Sequence, residues 1–174
     1  MKAIMVLLAS LLASPVAAEV KDRSAQGFTL ENAEVVSAPA DAAWRALVEQ
    51  VGQWWPADHT WWGAAGNLSI APVAGGCFCE IDGDRQAEHM RVVFADPGRL
   101  LRMVGGLGPL QGMGLSGVLE FRLSADEGGG TRIVMFYRAG GYLPEDPGGF
   151  VAIVDRVQAA QLAALARYLS GEDA

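Results

Sequence analysis

The chain contains no run of basic residues. Thirteen lysines and arginines stand against twenty aspartates and glutamates, for a net charge of −7 and an isoelectric point of about 4.7. Without a basic face there is no electrostatic footprint for a phosphate backbone, which argues against nucleic acid as a partner. The same balance disfavours adsorption to anionic membranes. Histidine and cysteine are scarce, with two of each: His59, His89, Cys77 and Cys79. None falls at metal-ligand spacing, and no G-x-S-x-G, H-E-x-x-H or other catalytic signature occurs. The glycine-rich stretch GGLGPLQGMG (105–114) holds no lysine and precedes no helix, so it is a flexible gate or turn and not a phosphate loop. Neither a metal nor another cofactor is implied. Internal repeats and domain boundaries are also missing.

The two cysteines form the triplet CFC at 77–79. An oxidising compartment would favour a disulfide between them. Residues i and i+2 of a strand, however, point the same way with Cα atoms near the upper limit for bridging. The spacing therefore favours two small apolar thiols on a strand's inner face over a strained bridge.

What is present starts with MKAIMVLLASLLASPVAA (1–18). Lys2, the apolar run from Ala3 to Leu12, and Val16 and Ala18 at the −3 and −1 positions make a secretory signal peptide. Its apolar core is shorter than the roughly 20 residues needed to span a bilayer. The mature chain is expected to be periplasmic or secreted, with no stable membrane insertion after cleavage. Residues 19–26 (EVKDRSAQ) are polar and predict a frayed, flexible lead-in, and residues 27–170 predict one domain. A hydrophobic share of 51% is ample for its core.

Within that domain, GFTLENAEVVSAP from Gly27 predicts a strand, and Pro39 opens the helix ADAAWRALVEQV. Trp44, Leu47, Val48 and Val51 make its apolar stripe, and Gly52 is expected to end it. From Asn67 the pattern becomes short strands separated by turn residues: LSIAPV, CFCEID, AEHMRVVFA, RLLRMVG, GLSGVLEFRL and TRIVMFYRA. In GVLEFRL, Leu119, Phe121 and Leu123 face one way, Glu120 and Arg122 the other. A long helix from about Pro147 to Leu169 closes the chain. Phe150, Val154, Val157, Gln161, Leu165 and Tyr168 share one side, with Asp155, Arg156 and Arg167 elsewhere. The fold class is α+β: one antiparallel sheet of six to seven strands, its apolar face covered by the last helix.

This order resembles the helix-grip fold of the START/Bet v 1-like (SRPBCC) superfamily. SAPADAAWRAL resembles the strand-to-helix junction of its bacterial members, and LSIAPVAGGCFCE their paired-glycine strand entry. HMRVVFADPGRLLRM, GGTRIVMFYRAGGY and VDRVQAAQLAALARYL resemble the Asp-Pro turn, the late strand and the closing helix. The nearest branch looks polyketide cyclase/dehydrase-like and chaperone-ATPase-activator-like. The resemblance spans roughly residues 27–170. It implies a deep, largely apolar cavity between a curved sheet and the C-terminal helix, without implying one chemistry. A secreted chain would not meet a cytosolic ATP-driven chaperone.

Two constellations carry candidate sites. The first is QWWPADHTWW (53–62), holding four of the five tryptophans. Trp54, Trp55, Trp61 and Trp62 either cap the core, form an aromatic wall over a pocket with His59 as a polar fixture, or make a protein-interaction patch. One tryptophan of each pair can also turn inward. The second is Glu80, His89 and Arg91. A four-residue hairpin turn would set Glu80 opposite His89 as a proton-transfer pair, whereas a two-residue turn at Gly83-Asp84 would put Phe78 there. The other face of these strands, with Cys77, Cys79, Ile81, Met90, Val92 and Phe94, is far more apolar. That content predicts it inside and Glu80, His89 and Arg91 on a solvated outer ladder. Tyr137 reads equally as core or site, and Tyr142 is a further polar candidate.

The leading expectation is a secreted carrier holding a small apolar or amphipathic molecule between sheet and last helix. Its candidate contacts are Trp54, Trp55, His59, Trp61, Trp62, Tyr137, Tyr142, Val157 and Gln161. The alternatives are a cyclase, dehydratase or hydrolase using Glu80 with His89 or His59 as acid and base, and a protein-binding module built on the tryptophan segment.

Overall fold

A computed structural model describes residues 19–143 and 147–171; the leader expected at 1–18 lies outside the described residues. Eight strands form one antiparallel sheet in the order β1-β2-β8-β7-β6-β5-β4-β3. They are β1 (Glu19–Ser24), β2 (Gly27–Val36), β3 (Leu68–Ile70), β4 (Cys77–Asp82), β5 (Arg85–Asp96), β6 (Leu100–Gly105), β7 (Ser116–Ala125) and β8 (Thr131–Gly140). Between β2 and β3, which sit toward opposite sides of the sheet, run α1 (Ala40–Glu49) and α2 (Val51–Trp54). The last element is α3 (Pro147–Ser170). This is an α+β, helix-grip-like architecture.

Alternation builds the middle of the sheet. Leu119, Phe121 and Leu123 of β7 oppose Tyr137, Met135 and Ile133 of β8, and all six are buried. Phe28 and Leu30 of β2 continue this inner surface, and Val151, Leu162 and Leu165 of α3 join the same core. By length and composition α3 is apolar enough to cross a membrane, but its inward side is covered here. Tyr168 anchors its far end, donating a hydrogen bond to the Gln53 amide oxygen in α2 (2.7 Å).

Four expectations need correction. Residues 19–24, expected to fray, form edge strand β1 paired with β2, which raises the strand count to eight. A polar edge strand is held by ladder hydrogen bonds with little burial, so it leaves no hydrophobic pattern. Gly52 does not end the helical region, because α2 runs through it; its missing Cβ lets the chain at Ala65 and Gly66 pass close by. Asp155, placed away from the packed side of α3, is buried and accepts a hydrogen bond from the Asn32 amide of β2 (3.3 Å). Cys77 and Cys79 are joined by a disulfide on the half-buried outer side of β4, not free thiols facing inward.

Candidate functional site

The β4–β5 hairpin decides the site. Its turn has two residues, with Asp82 opposite Arg85. Gly83 takes φ +60° and Asp84 does not, the pattern of a type II′ hairpin turn. With this turn, Glu80 faces Ala87 and Cys79 faces Glu88; the next pair is Phe78 with Met90. His89 is therefore the extra residue of a β-bulge. The bulge brings both His89 and Met90 to the buried side and aims the imidazole at Glu80 from one position along. A second extra residue, Val93, shifts the phase again before Phe94.

The expected facing is thereby overturned. Glu80 (0% exposed) and His89 (5%) are buried with Phe78, while Ile81 (48%) and Phe94 (43%) face outward. Uniform alternation favoured the opposite arrangement, but it fails on β5, where two bulges change the phase. Arg91 leaves the constellation: it is exposed, paired with Glu88, and donates to the Gly75 carbonyl (3.0 Å).

Burying a carboxylate demands hydrogen-bond donors, and the tryptophan loop supplies them. The Trp61 N–H donates to Glu80 Oε2 (2.9 Å) and the Trp62 N–H to Oε1 (3.1 Å). His89 Nε2 lies 3.1 Å from Oε2. Burial pushes the His89 imidazole below its usual range, and the adjacent Glu80 only partly opposes this. The neutral ring thus donates from Nε2 to the carboxylate and keeps Nδ1 as an acceptor. His89 Nδ1 has no hydrogen-bond partner among the described residues.

His89 also lines a cavity of about 350 Å3. The space lies between the first half of α3, the tryptophan loop and the segment from Leu107 to Met113, touching the sheet through His89. It is thus at one end of the interior; Tyr137 and Met135 belong with Val151, Leu162 and Leu165 of α3 to the buried core and do not line the cavity. Trp55, Trp61, Leu110, Phe150, Val154 and Val157 give it an apolar wall. The polar contributors are Gln158, Gln161, His59, Thr60 and Asp58. Both amide atoms of Gln158, Gln161 Oε1 and His59 Nδ1 are buried without a hydrogen-bond partner among the described residues.

The nine candidate contacts separate into two groups. Trp55, His59, Trp61, Val157 and Gln161 line the cavity; Trp54, Trp62, Tyr137 and Tyr142 do not. Trp54 is core, its indole N–H donating to the Ala46 carbonyl (2.9 Å). Trp55 is also buried, donating to the His59 carbonyl (3.1 Å) with its ring edge-on to Phe78 (5.3 Å). Trp61 is 47% exposed, and Trp62 lies under the Arg85 guanidinium (5.1 Å). These two tryptophans, with Gln86, Ala87, Glu88 and Gln111, also border a shallower, more polar groove. Tyr137 packs against Phe28 (6.0 Å), and burial pushes its hydroxyl up to about 12, the Leu107 main chain acting weakly the other way. Tyr142 is 88% exposed. Gln158 escaped sequence reading, although its i, i+3 relation to Gln161 placed both on one helix side.

No family model matches the chain, and no curated protein matches it in sequence. Solved structures do share its fold. An uncharacterized protein from Rhizobium leguminosarum aligns with a TM-score of 0.62 at 20% identity, over 86% of this chain and 98% of that one. CalU16 from Micromonospora echinospora aligns at 0.56 and 18% identity, over 94% and 88%. DynU16, a protein in the dynemicin biosynthetic locus, aligns at 0.55 and 20% identity, over 82% of this chain and 47% of that one. At such identities the likeness shows the fold.

Proposed function

We propose that this protein binds a small apolar or amphipathic molecule in the cavity between α3 and the tryptophan loop, and does so in the periplasm or outside the cell. One observation carries the reading: a cavity of about 350 Å3 with an aromatic and aliphatic wall that retains a few unpaired polar atoms. That combination characterises small-molecule sites, which use apolar area for affinity and a few fixed polar groups for orientation. Burying about 300 Å2 of guest at about 25 cal/mol per Å2 gives several kcal/mol before ordering costs. The origin of DynU16 in a biosynthetic locus agrees with a small-molecule role. Export rests on the leader alone, and signal cleavage followed by fractionation tests it. For the cavity, Val157→Trp should fill the space. Titration calorimetry with an apolar ring probe should show affinity falling at least about tenfold; unchanged binding would place the guest elsewhere.

The Glu80–His89 pair favours a second reading. A carboxylate fixed by two main-chain donors, orienting a neutral imidazole at a cavity wall, is the arrangement of a general base. Cyclase, dehydratase or hydrolase chemistry would place the substrate proton at His89 Nδ1. Turnover of β-hydroxy ketones or aryl esters with a histidine-range pH limb, abolished in His89→Ala, would establish it; activity unaltered by that substitution would remove it.

A further inference from the structure

We infer that the cavity selects an uncharged, ring-bearing guest carrying a hydroxyl or amide group, held between the paired glutamines of α3, and that it rejects carboxylates. This rests on the carrier reading above. Gln158 and Gln161 are 1% and 3% exposed, both line the cavity, and three of their four amide atoms are buried without a partner among the described residues. A buried amide left unpaired is costly, and two on one helix side leave a site that a guest can complete. Their oxygens and His89 Nδ1 call for hydrogen, while the Gln158 amide nitrogen calls for an oxygen. A hydroxyl or amide offers both.

Charge narrows the choice. Among the described residues no lysine or arginine lines the cavity, Asp58 is the one aspartate or glutamate that does, and the Glu80 carboxylate stands immediately behind His89. A carboxylate guest would enter without a cationic partner beside two existing acids, a situation strongly disfavoured at low dielectric. A cation would meet aromatic rings, but it would leave the amide oxygens competing with an ammonium's own water and would give the Gln158 nitrogen nothing to donate to.

Calorimetry on the purified protein with 1-methylnaphthalene, 1-naphthol, 1-naphthoate and 1-naphthylmethylammonium separates the cases. The expected order places 1-naphthol roughly tenfold tighter than 1-methylnaphthalene, with 1-naphthoate weakest. Gln158→Leu should erase the naphthol preference while 1-methylnaphthalene still binds, which also shows that the variant is folded. Val157→Lys, which leaves both glutamines in place, should raise 1-naphthoate affinity by roughly tenfold. Equal binding of 1-naphthol and 1-methylnaphthalene, or a preference for 1-naphthoate or the ammonium, overturns the inference and leaves the carrier reading intact. Failure of all four probes to bind overturns both.

Discussion

Two buried glutamates on the same sheet have opposite surroundings. Glu80 points inward and is held by the main chain of a loop and by one imidazole. Glu120, 6% exposed, points outward and is clamped by Arg102 (2.5 Å) and Arg122 (2.6 Å), which are themselves partly solvated. Burial alone would raise the Glu120 carboxyl, but hydrogen bonds from the two arginines hold it below the usual range. Arg122 also stacks over Phe136 (4.3 Å) and reaches Glu31 (3.7 Å). The outer acid belongs to a surface network whose members all have other partners or water. The inner acid belongs to a closed set in which every donor depends on it. Position relative to the sheet, more than burial, separates a fastening from a site.

Replacing each acid by leucine should expose this difference most clearly. Glu80→Leu leaves two main-chain N–H groups and the His89 ring unpaired in the interior, with an expected loss of about 3–5 kcal/mol in urea unfolding. Glu120→Leu releases two arginines that can turn to water, with an expected loss of about 1 kcal/mol. Equal losses would break the comparison.

Acid separates the two regions by pH window. His89 has a lowered folded pKa, so below about 6.5 the unfolded chain takes up a proton that the folded chain does not. Stability should therefore begin to fall as pH drops through about 6.5, and His89→Phe should remove that upper limb. The Glu120 contribution is present above the ordinary glutamate value of about 4.3 and is lost only as pH falls below it. A stability curve flat between pH 7 and 5 would contradict the inner assignment. The smallest expected effect is that of salt. Raising ionic strength to about 1 M should reduce the penalty of Glu120→Leu by a few tenths of a kcal/mol and leave that of Glu80→Leu unchanged.

Much of the architecture was legible because alternation and helical spacing report which side is covered. Leu119, Phe121 and Leu123 announced β7 and its buried face, and CFCEID marked the span of β4. The long α3 was legible for the same reason. Strand β1 was not, since EVKDRS is held by backbone pairing. The site was half legible. Its residue types, a carboxylate, an imidazole and clustered tryptophans, stood out, but their facing did not. A bulge at His89 changes which side the residues from Met90 to Val92 occupy, a second at Val93 shifts the phase again, and nothing in AEHMRVVFA marks either extra residue. Nor does composition reveal that the Trp61 and Trp62 amides would cover Glu80, a contact between segments 18 to 19 residues apart.

Trp61 forms part of the wall of both the apolar cavity and the polar groove beside it. A residue common to two spaces couples their shapes: a change in the Trp61 rotamer alters the wall of both. If the cavity holds a guest as proposed, contact made in the outer groove would reach it through this one shared residue.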